Sequence, residues 1–134
     1  WGHDITDEDH VLEAGLGFSV SRKKPEFIGR DAVLRKEQAG LDRRLVQFRL
    51  TDPEPLLFHN EALVRDDKII GPVTSGNYGH FLGGAIGMGY VPSKGQTDAD
   101  ILGSRYEIEV AGVRHAALAS LVPIYDPKSE RVRA

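Results

Sequence analysis

The sequence predicts a mainly β protein. A short α+β segment (1–41) leads into an antiparallel Greek-key β-barrel of six strands or so (42–134). Two observations carry the prediction. Beyond Gly40 the apolar residues recur every second position in short runs separated by turn residues. Glycines also crowd into GPVTSGNYGHFLGGAIGMGYV (71–91) and on to Gly95, as they do where strands bulge or bend sharply around a narrow interior.

Taken in order, residues 1–13 are acidic and turn-like, and AGLGFSVS (14–21) is a short apolar run ended by the basic turn RKKP. Asp31 is placed to cap a helix of about two to three turns through DAVLRKEQA, with Gly40 as its stop. In RRLVQFRL (43–50), Val46, Phe48 and Leu50 share one face, and Leu45, Gln47 and Arg49 the other. EALVRDDKIIGPV (61–73) reads as two strands around an Asp66-Asp67 turn, and GGAIGMGYV (83–91) as another strand. RYEIEVAGVRHAALAS (105–120) is a hairpin turning at Ala111-Gly112, with Tyr106, Ile108 and Val110 on its apolar side. No helix is expected between the strands, and Ser75-Gly76-Asn77-Tyr78 reads as a polar turn at the barrel rim.

Composition removes several function classes. Cysteine is absent, which excludes disulfides, thiolate metal sites and a cysteine nucleophile. A net charge of −3 argues against a nucleic-acid surface. No apolar run approaches the length needed to span a membrane as a helix. The start at Trp1 in a polar loop suggests the carboxy-terminal part of a longer polypeptide, with upstream domains as its partners.

The glycine run fails the tests for phosphate binding. GHFLGGAIG carries no lysine to reach terminal phosphates, and Gly87-Met88-Gly89 runs into Tyr90-Val91-Pro92, where proline denies the helix a dinucleotide loop requires. Ser75 does not sit in a nucleophile elbow. His3, Asp4, Asp7, Asp9 and His10 form an acidic cluster without the turn glycine of a calcium loop, and a solvated surface turn is its expected role. Trp1, Phe18, Tyr78 and Tyr90 are the aromatics that could face a flat ligand, with core packing the expectation for Phe18 and Tyr90. Residues alone therefore describe a barrel with no self-contained active site.

Five stretches go further: WGHDITDEDHVLEAGLGFSV, FIGRDAVLRKEQAGLDRRLVQFRL, EALVRDDKIIGPVTSGNYG, AIGMGYV and VPIYDPKSERVR. In this order they resemble the carboxy-terminal part of the glycine-cleavage T-protein (aminomethyltransferase) family. The resemblance is strongest to the branch fused to a flavin oxidoreductase, the dimethylglycine and sarcosine dehydrogenases. It implies a parent in which an FAD domain oxidises an N-methyl amine and a tetrahydrofolate-binding region receives the one-carbon unit. It also implies that residues 1–41 end the preceding folate-binding lobe and that 42–134 form the last lobe, a wall of the folate cavity. Phe18, Tyr78 and Arg131 are then the folate-site candidates, with no catalytic or metal-binding residue in this chain. The expected setting is the cytoplasm, or the mitochondrial matrix of a eukaryote. A stand-alone aminomethyltransferase is the alternative within the family, and a barrel-type interaction or nucleic-acid module the alternative outside it.

Overall fold

The computed structural model describes residues 1–134. A single 3-10 turn at Gly17–Ser19 and helix α1, Arg30–Ala39, precede six strands: β1 (Arg43–Leu50), β2 (Ala62–Arg65), β3 (Lys68–Gly79), β4 (Gly84–Pro92), β5 (Tyr106–Val110) and β6 (Val113–Ser120). A second helix, α2, spans Asp98–Gly103. The strands close in the order β1-β4-β3-β2-β5-β6, every pairing antiparallel. This is the Greek-key barrel expected: β1 crosses over to lie beside β4 and also pairs with β6, so no edge is left open.

Alternation decides which side chains enter. In β1, Val46, Phe48 and Leu50 are buried, as the sequence pattern requires. Leu63, Val73, Val91, Tyr106 and Ile108 join them, and Leu57 drops in from the β1–β2 loop. The glycines of β4 make this possible. A Cβ at Gly87 would lie 3.1 Å from Val73 Cγ1 and 3.2 Å from Leu57 Cδ1, and one at Gly89 3.2 Å from Leu63 Cδ2. Leucine side chains from elsewhere thus occupy the space that Gly87 and Gly89 vacate, which explains these two glycines without any ligand. Register shifts at Leu63/Val64 and Val73/Ser75 add the local bends of a small barrel.

The Asp66-Asp67 and Ala111-Gly112 turns have positive φ at both central residues, the tight geometry that follows the natural twist of a hairpin. Three local expectations need correction. Helix α1 begins after Gly29, whose φ of 85° starts the turn; Asp31 lies inside the first turn and caps nothing. SGNYG is not a turn but the end of β3, where Tyr78 pairs with Ala85 and Gly79 with Gly84. A helix does stand between strands: Thr97 caps α2 through a reciprocal box with Asp100. Ile101 of α2 is fully buried, and its carbonyl accepts the Tyr106 hydroxyl at 2.9 Å, so the helix closes one end of the barrel. No helix is long and apolar enough to cross a membrane.

Candidate functional site

Two places on the outside of the barrel concentrate polar chemistry. The first is a seam where residues 1–14 cross β3, β4 and the start of β1. Asp4 accepts hydrogen bonds from Thr74 Oγ1 at 2.5 Å and Ser75 Oγ at 2.8 Å, while its carbonyl accepts the Tyr90 hydroxyl at 3.0 Å. Asp9 takes Thr6 N–H on one oxygen and Arg43 Nη2 at 2.6 Å on the other. The carboxylate of Glu13, only 7% exposed, receives Lys36 Nζ at 2.7 Å, the Asp42 N–H at 3.1 Å and Arg43 Nε at 3.3 Å. Leu45 N–H donates to the Glu13 carbonyl at 2.8 Å. Of the acidic cluster read as a solvated turn, Asp4 and Asp9 are therefore docked on barrel donors far away in sequence, while Asp7 is exposed as expected.

A cleft of about 450 Å³ opens along this seam, bordered by His3, Asp9, Arg43, Thr74, Tyr90 and Pro92 among others. Burial pushes the Tyr90 hydroxyl up to about 12, with the nearby Asp9 charge acting in the same direction. Burial alone would raise the Glu13 carboxyl, but hydrogen bonds from Lys36, Asp42 N–H and Arg43 outweigh it and hold the group below the ordinary carboxylate range. Lys36 is raised by its bonds to Asp42 and Glu13. Each of these shifts favours the form already present at neutral pH, so none tunes a group to exchange protons there. The Arg43 guanidinium, 4.5 Å from the Tyr90 ring centroid, is neutralised by two carboxylates. This is the chemistry of a fastener.

The second place is the β3–β4 hairpin and the tail after β6. Ile124 N–H reaches Gln47 Oε1 at 3.1 Å, which lays the tail against the outer face of β1. Tyr125 then meets Phe81 edge-to-face at 4.9 Å between centroids, and Arg131 stacks on the Phe81 ring at 4.3 Å. Both rings remain open to solvent, Phe81 by 65% and Tyr125 by 44%.

The structure does not bring the three sequence-predicted residues together. Phe18, the middle residue of the 3-10 turn, stands 87% exposed, so core packing does not account for it. Tyr78 is half-buried in β3 and touches His80 edge-to-face at 5.1 Å. Arg131 joins Phe81 and Tyr125, neither of which sequence reasoning selected. Phe81 sits in the hairpin after Gly79, where an exposed aromatic was the one available signal; Tyr125 lay inside a tail read only for its arginines.

Comparison with known proteins places this geometry. A family model for the glycine cleavage T-protein C-terminal barrel domain matches residues 43–126. Over 98% of the chain, 40% of residues are identical to 4-methylaminobutanoate oxidase (formaldehyde-forming) of Paenarthrobacter nicotinovorans, of which the match covers 16%. Over 99% of the chain, 37% are identical to the mitochondrial sarcosine dehydrogenase of Homo sapiens, of which it covers 15%. The crystal structure of glycine cleavage system aminomethyltransferase T from Bartonella henselae superposes with a TM-score of 0.78 at 27% identity, covering 94% of this chain and 35% of that one. The chain thus spans about one-sixth of the length of the two curated relatives.

Proposed function

The chain belongs to the glycine cleavage T-protein C-terminal barrel family, and from that premise we propose that it is the last lobe of a FAD- and tetrahydrofolate-dependent N-methyl amine dehydrogenase. Its closest substrate classes would be sarcosine- and dimethylglycine-like amines. The observation that carries this reading is near-complete alignment of the chain with an oxidase and a dehydrogenase several times its length. Residues 1–41 would be the end of the preceding folate-binding lobe and 42–134 the barrel that walls the cavity. Phe18, Tyr78 and Arg131 would be its contributions to the folate surroundings.

The side chains present are compatible with a folate at the hairpin and tail. Exposed Phe81 and Tyr125 offer ring faces and edges, and Arg131 offers an uncommitted guanidinium. They do not fit a flavin dinucleotide, because the glycines that might have cradled its phosphates are packed against Leu57 and Leu63. On this reading the flavin would be held by another part of the parent polypeptide. When bound, tetrahydrofolate supplies the nucleophilic nitrogens that accept a one-carbon unit. This chain's role is to orient and to exclude water, consistent with a seam where Asp9 and Glu13 are paired with Arg43 and Lys36.

The test compares the 134-residue chain with the full polypeptide by calorimetric titration of tetrahydrofolate and by turnover of N-methyl amines. We expect no turnover and weak or no folate binding by the chain, and both activities in the parent. Tight folate binding by the chain alone would overturn this division of labour. Similarity to the Bartonella aminomethyltransferase favours a second reading, a stand-alone aminomethyltransferase. The polypeptide preceding Trp1 decides between them: a flavin-binding domain supports the first reading, and its absence the second.

A further inference from the structure

We propose that His3 and His59 form a two-histidine site for a divalent transition metal of the zinc class, clamping the leading segment to the β1–β2 loop. The inference is independent of the folate reading. It departs from the sequence expectation that this chain holds no metal, because histidines on two remote segments form no spacing motif.

Elimination singles out this pair. Of the five histidines, His10 accepts the Leu12 N–H at 3.2 Å, His115 faces Asp52 at 3.3 Å and His80 packs on Tyr78. His3 and His59 are exposed, hold no hydrogen bond and face each other, with ring centroids 5.8 Å apart and planes at 76°. A neutral imidazole offers a nitrogen lone pair, which makes histidine the commonest metal ligand. A cation about 2.0–2.1 Å from one nitrogen of each ring sets the ring centres roughly 5–6 Å apart. The observed spacing lies in that range. Chelation therefore asks for rotation about exposed side-chain bonds and leaves the backbone where it is.

Both ligands sit on pinned backbone. On one side, Gly2 N–H donates to the Ile5 carbonyl at 2.9 Å, and the Asp4 carboxylate is held by Thr74 and Ser75. On the other, Leu57 is buried in the core, Phe58 N–H donates to Glu61 Oε1 at 2.8 Å, and Asn60 N–H donates to the Val73 carbonyl at 2.8 Å. A site fixed in advance loses little conformational freedom when the ion arrives. No third histidine or carboxylate converges on the pair, so water fills the remaining positions of the tetrahedron and the ion exchanges readily. Paired imidazoles suit zinc and neither magnesium nor calcium, which prefer oxygen. The ion adds a metal-dependent fastening beside the charged seam.

The experiment titrates zinc chloride into the 15N-labelled chain, acetylated at Trp1 so that the terminal amine takes no part. Histidine ring signals are followed just above neutral pH, with magnesium as the control. Zinc should shift the His3 and His59 rings and leave those of His10, His80 and His115 in place; magnesium should shift none. His3→Ala and His59→Ala should each weaken zinc binding about tenfold or more, since even residues behind metal ligands matter on that scale. His59→Cys should keep or tighten binding, because thiolate is a zinc ligand, whereas a pair that merely packs gains nothing from a thiol. Both side chains are exposed, so denaturation midpoints without zinc should match that of the unsubstituted chain. Zinc should also slow hydrogen exchange across residues 1–14, and only where both positions carry a ligand. Zinc that shifts all five rings alike, full affinity in His59→Ala, or lost binding in a folded His59→Cys would overturn the site.

Discussion

Inside the barrel, Phe48, Leu50, Leu63 and Ile108 are sealed by carbon, whereas the first fourteen residues hold to its outer wall through Asp4, Asp9 and Glu13. The whole of residues 1–41 buries only Glu13, Ala14 and Val33, and leaves Trp1, Phe18 and Ile28 in solvent. Apolar burial is insensitive to pH and only weakly sensitive to moderate salt, while attachment by charge depends on both. The barrel therefore carries its own stability, and the segment before it is attached conditionally.

The largest effects should come from breaking the interior. Phe48→Ala or Leu63→Ala is expected to cost about 2–5 kcal/mol, seen as an earlier single transition in chemical denaturation. Gly76→Ala should follow at about 1–3 kcal/mol, because the new Cβ would sit 2.5 Å from Leu57 Cβ. At the seam, Glu13→Gln is expected to cost about 1–3 kcal/mol, since it strips a nearly buried carboxylate from Lys36 and Arg43, both partly exposed. Hydrogen exchange should show that loss in residues 1–41 and spare the strands; uniform loss across the barrel would erase the distinction between the two regions.

Acid should imitate this variant. The Glu13 pKa is lowered by folding, so its contribution is present above the unfolded value of 4.5 and lost as pH falls through the folded one. Lys36 is raised above 10.5, so its contribution holds below that value and is lost as pH climbs through the folded one. Limited proteolysis within 1–41 should accelerate at both extremes before the barrel melts. The smallest effect is expected from Phe18→Ser, within about 0.5 kcal/mol in this chain, because the ring is almost wholly exposed.

Legibility in the sequence follows the same division. Strand alternation is local, so β1, the β2–β3 pair and the β5–β6 hairpin could be drawn from residues a few positions apart. SGNYG misled because glycine and asparagine favour turns in isolation, yet pairing with β4 overrides that preference. Helix α2 is six residues long and too short for a periodic signal; its trace was Thr97 three residues before Asp100. The seam was illegible because Asp4 finds its donors 70 and 71 residues away.

The pairing that closes the barrel also sets how it would yield to mechanical load. β1 and β6 are antiparallel neighbours, with Ser120 opposite Gln47 and Ala117 opposite Leu50. Tension applied between Arg43 and Ser120 therefore enters the ladder at its Gln47–Ser120 end and opens the rungs in succession instead of shearing them all at once. A barrel tethered this way should peel apart under modest force from the side where its first and last strands meet.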